Sequence, residues 1–282
     1  MPYTTTDDIK IWYETLGSPD DEAIVLIAGG GAQLIAWQDP FCESLVAAGY
    51  RVVRFDNRDT GLSQRFGGPE DLDGGYDIED LALDVLRVLD SEGIAAAHVV
   101  GHSMGGIVAQ VLALDHADRV LSAVFASAIP GHDPAWVVSP GIPDVFTRPQ
   151  VRYSREEVVE GAVAMQSHYA GSVYPFDEET ARGLAGLAYD RGYWPDGFPR
   201  QWAALARATE RLDRLRGLRL PVLVLHGRDD QTCAWRAAVD TALAIEGSEL
   251  QVYAGMGHVL VRELWPEYAA AIVRTAKRAA RA

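Results

Sequence analysis

The sequence predicts an α/β protein: a mostly parallel central sheet with helices on both faces and one inserted helical lid. Three observations lead there. Short β-branched runs recur along the chain, each continuous enough to be buried on both faces. Segments of helical period lie between most of them, which implies parallel crossovers. One interval, 132–213, holds no such run and reads as helical with Pro and Gly breaks.

Each element can be justified in order. The opening "IKIWYETLG" alternates like an antiparallel edge strand. Buried parallel strands are predicted at "AIVLIAG" (23–29), "RVVRFD" (51–56), "AHVVG" (97–101), "VLSAVFASA" (120–128), "PVLVLHG" (221–227) and "ELQVYAG" (249–255). In "DIEDLALDVLRVLDSEG", Asp77 is a plausible N-cap, and Ile78, Leu81, Val85 and Leu89 share one face. "GGIVAQVLALDH" is apolar on nearly all sides, so its helix should be buried. "WPEYAAAIVRTAKRAAR" has Pro266 early and Arg and Lys late, as the helix dipole favours. Within the insertion, "SREE" at 154–157 is a capping box. The expected organisation is a core of 1–131 and 214–282 carrying a helical cap at 132–213. That cap holds 11 of the 25 aromatic residues. Some rings should form its own small core and several should face a ligand.

Composition narrows the function. The 282 residues are 48% hydrophobic and 23% charged, the profile of a soluble globular protein. A net charge of −15 repels a phosphate backbone and argues against nucleic acid. Cys42 and Cys233 lie too far apart for a disulfide framework and are expected to be buried free thiols in a reducing compartment. The opening "MPYTTTDDIKIWYE" has no basic n-region or apolar h-region, and no apolar run approaches ~20 residues. A cytoplasmic protein without membrane partners is expected.

The chemistry centres on "HVVGHSMGGIVAQ" (98–110). A strand ending at Gly101 must turn sharply into a helix starting near Met104. The apex residue of such a turn is strained and lifts its side chain above the sheet's carboxyl edge. Ser103 occupies the apex, with Gly101 and Gly105 where side chains would not fit. A serine hydroxyl needs a base, and the base needs an orienting acid. Asp230 follows "VLVLHG" and His258 lies in "GMGH" after the next strand. All three candidates therefore follow different strands at one sheet edge. Asp229 is the competing acid. The oxyanion donors expected are the backbone N–H groups of Met104 and of Gly30 in "AGGGAQ", with Gly31 as the alternative. Gly31, His102, Trp136, Tyr169 and Trp194 are candidate substrate contacts. The ring of His102 should point away from Ser103. His98, His116, His132, His168 and His226 are weaker catalytic candidates, and His226 more plausibly fixes the acid loop. No H-E-x-x-H or paired C-x-x-C spacing occurs, so a reaction without metal or cofactor is expected.

Together, "GHSMGG", "HGRDD" and "GMGH" resemble the nucleophile, acid and histidine motifs of the α/β-hydrolase superfamily, at Ser103, Asp230 and His258. The resemblance extends over essentially the whole chain and implies the α/β-hydrolase fold. "RFDNRDTGLS" (54–63) looks like the loop after the second core strand in that superfamily. Its usual pattern is Arg-Gly-x-Gly-x-Ser, and here Asp59 replaces the first glycine. That loop, the glycines near residue 30 and "QVLALDHADRV" (110–120) are similar to aclacinomycin methylesterase-like enzymes, which carry a helical lid and cut esters on polyketide products. Some macrolide esterases have a similar outline. In "DDQTCA", Ala234 stands where relatives often have proline.

The expected activity is a serine esterase acting on a bulky apolar ester or lactone, of polyketide or macrolide type. Perhydrolase or haloperoxidase-like chemistry, carbon–carbon bond hydrolysis and a slow-turnover ligand receptor are the alternatives on the same triad. Epoxide and haloalkane chemistry in similar families uses aspartate at the elbow, and Ser103 counts against it.

Overall fold

Strands buried on both faces require cover on both sides, and the computed structural model, which describes residues 3–138 and 151–279, provides it. The strands are β1 (Tyr13–Leu16), β2 (Ala23–Ile27), β3 (Arg51–Phe55), β4 (Ala97–His102), β5 (Val120–Ala126), β6 (Val222–Gly227) and β7 (Glu249–Tyr253). They form one sheet in the order β1-β3-β2-β4-β5-β6-β7. β1 pairs antiparallel with β3, and every other pairing is parallel.

Period-two alternation divides the core. Val25 and Val99 face one layer while Leu26 and Val100 face the other. Helices α1 (Asp39–Ala47) and α9 (Trp265–Ala279) cover the second face, through Phe41, Leu45, Tyr268 and Ile272. Helices α2 (Ile78–Ser91), α3 (Met104–Asp115) and α8 (Arg236–Ala244) cover the first. α2 starts at Asp77 with a capping box and buries Ile78, Leu81, Val85 and Leu89. α3 is buried at every position from Met104 to Ala113, as its all-round apolar sequence requires.

β7 departs from expectation. It was read as a buried strand, yet it is the sheet's last strand, and Leu250 is 38% exposed. An edge strand has a neighbour on one side only, so apolar content alone did not imply burial.

Among the described residues, four α-helices lie between β5 and β6: α4 (Arg155–Tyr169), α5 (Glu178–Gly192), α6 (Gly197–Arg207) and α7 (Leu212–Leu215). Residues 139–150 of the expected cap lie outside the described residues. Ser154 and Glu157 form the capping box at the start of α4. α4 and α5 share a small cluster of Val159, Val163, Ala181 and Ala185, with Phe176 packed against it. Polar anchors hold this segment to the core. Arg191 on α5 donates to Gln33 at 2.6 Å and pairs with buried Asp56 at 3.2 Å. Arg200 on α6, fully buried, pairs with Asp59 at 2.7 Å and with Asp196 at 2.9 Å.

The chain direction along the sheet reverses between β2 and β4, because β3 lies on one side of β2 and β4 on the other. In open α/β sheets the crevice at the carboxyl ends of such a pair is where ligands bind. The loop after β2 contains Gly29–Gly31, and Ser103 follows β4.

Candidate active site

The turn from β4 into α3 places Ser103 at φ 54°, ψ −120°. Such backbone strain costs roughly 1–3 kcal/mol and persists only where neighbours over-determine it. Here they do: the Ser103 N–H donates to Ala126 O at 2.8 Å. A Cβ on Gly101 would lie 2.0 Å from Gly105 O, and one on Gly105 would lie 2.2 Å from Ile27 O. Both glycines are therefore steric necessities of the elbow.

Ser103 Oγ lies 3.0 Å from His258 Nε2, and His258 Nδ1 lies 2.7 Å from Asp230 Oδ2. An ionised carboxylate only accepts, so it fixes the proton on Nδ1 and leaves Nε2 to accept from the serine. The other oxygen of Asp230 accepts from the N–H groups of Thr232 (2.7 Å) and Cys233 (2.8 Å). Burial pushes the Asp230 carboxyl up, but hydrogen bonds to His226 and His258 and their charges outweigh it and hold the acid far below the usual carboxylate range. His226 Nε2 lies 3.2 Å from Asp230 Oδ2 and 3.0 Å from Cys233 O, so it ties the acid loop to the end of β6. Asp229 is turned elsewhere: its carboxylate accepts from the Ser172 hydroxyl. The structure brings Asp230 to His258, not Asp229.

Ala234 has a structural reason to differ from proline. Its N–H donates to Trp136 O at 2.8 Å, a bond that proline could not make.

The two expected oxyanion donors stand at the switch point. Among the described residues, neither the N–H of Gly30 nor that of Met104 has a hydrogen-bond partner. The N–H of Gly31 is taken: it donates to Gln201 Oε1 at 2.7 Å. That separates Gly30 from its alternative. A Cβ on Gly30 would lie 2.6 Å from the Phe198 ring, so α6 closes over this loop.

A strained serine between two obligatory glycines, with a base and an acid on later strands, is the arrangement of one large family. The family model of the alpha/beta hydrolase fold matches residues 22–263. The chain belongs to the α/β-hydrolase fold family. This hydrolase-fold chain is 46% identical over 118 residues to rhodomycin D methylesterase of Streptomyces peucetius, a match covering 42% of the chain and 39% of that protein. The match thus spans about two fifths of that relative's length. Longer matches are to a putative carbamate hydrolase of Azorhizobium caulinodans (30% identity; 82% of this chain and 81% of the relative) and a non-heme chloroperoxidase of Burkholderia pyrrocinia (29%; 92% and 93%). The enol-lactonase of Burkholderia xenovorans LB400 superposes with a TM-score of 0.77 at 24% identity, over 98% of this chain and all of that one. The motif resemblance to methylesterases read from the sequence agrees with the first of these relatives.

The remaining candidates in this hydrolase-fold chain divide. Tyr169, at the end of α4, lies beside the histidine: the ring centroids are 5.9 Å apart, and its carbonyl accepts from the His258 N–H at 2.8 Å. Trp136, an expected substrate contact, is packed against α8. It is 5% exposed, and its indole N–H donates to Asp240 on α8 at 2.8 Å, because a buried indole needs an acceptor. Trp194 joins the insertion to the core: its N–H donates to Gly61 O at 2.8 Å and the Arg65 guanidinium covers its ring at 4.1 Å. His102 meets the histidine loop: its Nε2 lies 2.7 Å from His258 O and holds that loop. Cys42 is buried and Cys233 is partly exposed, and both are free. No cluster of three His, Cys, Asp or Glu among the described residues could hold a metal ion, and no described helix is long and apolar enough to cross a membrane.

Sequence reasoning missed Gln201, Arg200, Asn57 and Phe198. One signal was available: the buried face of α6 includes Arg200 and Gln201, polar residues on what should be an apolar stripe.

A pH prediction arises at His102. Burial, then the charge of His258, pushes this imidazole down from 6.5 to about 4; Asp230 acts in the opposite direction and His226 reinforces the fall. Between these values the unfolded chain binds the extra proton and the folded chain does not. The stability contribution is full above pH 6.5 and is lost as pH falls toward about 4. The shift corresponds to roughly 3 kcal/mol. Urea unfolding of the wild type and His102→Gln from pH 7 to 4 should show a steeper loss in the wild type. Parallel curves would remove His102 as the source.

Proposed function

We propose that this chain is a cofactor-free serine hydrolase that cleaves a carboxylic ester or lactone through an acyl-enzyme. The observation that carries the reading is the Ser103–His258–Asp230 chain of hydrogen bonds at the elbow. The methylesterase name of a partial relative supports the ester class.

In this mechanism His258 Nε2 takes the Ser103 proton as Oγ attacks the ester carbonyl. Asp230 keeps the tautomer and stabilises the imidazolium. The oxyanion sits between the N–H groups of Gly30 and Met104. The alcohol leaves with the proton from His258, and a water deprotonated by His258 releases the acid and frees the serine. The insertion acts as a lid, with a core of 1–131 and 214–282 and a cap at 132–213. The substrate is a small molecule, and a cytoplasmic setting fits the two free thiols.

The substrate in this reading is bulky and mostly apolar, of polyketide or macrolide type. Tyr169 beside His258 and Phe198 over Gly30 offer rigid rings on both sides of the reacting centre. Binding energy from remote parts of a large substrate can be used in the transition state. The expected result is a kcat/KM at least about tenfold higher for a polycyclic methyl ester or macrolactone than for p-nitrophenyl acetate. A best rate on the acetyl ester, with no cleavage of bulky esters, would remove the bulky-substrate reading and leave the hydrolase reading intact. Perhydrolysis is the second reading, favoured by the match to a non-heme chloroperoxidase over 92% of this chain. Mass-spectrometric product identification with and without hydrogen peroxide separates the two.

A further inference from the structure

We propose that Gln201 is a positioning residue for the oxyanion hole: a buried cap side chain that aims the Gly30 N–H by clamping the next peptide. This rests on the serine-hydrolase reading above and assigns a role to a buried residue that acts through the backbone of the catalytic loop.

The loop Gly29-Gly30-Gly31 has no side chains to order it, and glycine loses more backbone freedom on ordering than any other residue. Left alone, its peptide planes would rotate and the N–H of Gly30 would not be preorganised. The structure anchors the loop on both sides of that group. Asn57 Nδ2 donates to Ala28 O at 3.1 Å, fixing the preceding plane. Gly31 N–H donates to Gln201 Oε1 at 2.7 Å, fixing the following one. The intervening plane has its carbonyl held as well, since Gly29 O accepts from Ala32 N–H at 3.2 Å. What remains unpaired on this plane is the N–H of Gly30.

Gln201 is itself immobilised. Its Nε2 donates to Arg58 O and to Thr60 Oγ1, both at 2.8 Å, and the residue is fully buried. A donor at Gly31 and acceptors at Arg58 and Thr60 permit only one amide orientation. Gln201 stands on α6 next to Arg200, whose ion pairs with Asp59 and Asp196 hold the helix. The amide therefore carries the rigidity of a helix anchored to the core through Asp59 into the catalytic loop. Preorganised donors gain their effect by needing no rearrangement as charge develops.

The test compares Gln201→Leu and Gln201→Glu with the wild type and with Ser103→Ala. Leucine removes the clamp and the anchor together. Glutamate keeps the acceptor for Gly31 but loses both donors. Removing an oxyanion donor outright costs about 10²–10³ in kcat. Misaiming one should cost on the order of 10–100-fold. Gln201→Leu should show that loss in kcat with KM changed by less than about threefold. It should also bind a trifluoromethyl ketone more weakly, and its Gly31 amide should exchange hydrogen faster. Gln201→Glu should retain more kcat than Gln201→Leu. A merely structural strut gives a different result: glutamate is as damaging as leucine, and the loss follows the melting temperature. Wild-type kcat in Gln201→Leu, or unchanged Gly31 exchange, overturns the proposal while an inactive Ser103→Ala leaves the hydrolase reading standing. An active Ser103→Ala overturns both.

Discussion

Ser103→Ala is expected to abolish ester hydrolysis, with kcat falling on the order of 10⁶-fold, the loss seen when a triad nucleophile is removed from a serine protease. The fold should survive. The serine's backbone strain is held by neighbours, including the bond from its own N–H to Ala126 O, and alanine keeps that N–H. Among the described residues, the side chain lost makes one hydrogen bond, to His258 Nε2. The melting temperature should therefore move by no more than a few degrees, since about 1 kcal/mol shifts a domain of this size by roughly 2–4 °C. Steady-state kinetics on the preferred ester, with calorimetry on the same preparation, checks both halves. Retention of a tenth of the wild-type rate would reject Ser103 as the nucleophile.

The second large effect concerns the acid. Asp230→Asn should reduce kcat by about 10⁴, the value for the equivalent change in the serine-protease template. Asparagine keeps the shape of the side chain, but its NH₂ facing His258 Nδ1 would favour a proton on Nε2, the atom that must accept from Ser103. The backbone N–H groups of Thr232 and Cys233 would still donate to the amide oxygen, so the loop should hold. Asp229→Asn should leave kcat within a few fold, because that carboxylate accepts from Ser172 on the surface. Kinetics on the two variants rank the acids directly, and the opposite order would move the catalytic role to Asp229.

The sheet was legible in the sequence because two-sided burial leaves an unmistakable mark on strands such as "AIVLIAG" and "PVLVLHG". The grouping of Ser103, Asp230 and His258 was legible for a related reason: each follows a strand, and parallel strands deliver their following loops to one edge. The aromatic assignments were less legible. Trp136 and Trp194 were read for their rings, but their N–H groups found acceptors at Asp240 and Gly61, and those bonds fixed where the rings lie. Nothing local to α6 revealed that Gln201 meets Gly31, 170 positions earlier, or that Arg200 meets Asp59, 141 positions earlier. Such pairs exist only once the insertion is docked on the core.

The Asp59–Arg200 pair also constrains how this chain can be recombined. Position 59 adopts φ 64°, which explains why glycine is usual there in similar proteins and why aspartate, tolerant of that region, can replace it. The substitution gives the core half of a two-part fastening whose other half lies in the insertion. A chimera that takes the insertion between β5 and β6 from a donor lacking the arginine would leave the Asp59 carboxylate buried with its cationic partner gone. Breaking such a pair costs about 3–5 kcal/mol, a large share of the roughly 5–15 kcal/mol that holds a typical domain together. Exchanging the insertion between related chains thus follows one rule: residues 59 and 200 travel as a pair, so a crossover placed between them must be matched by restoring the lost partner.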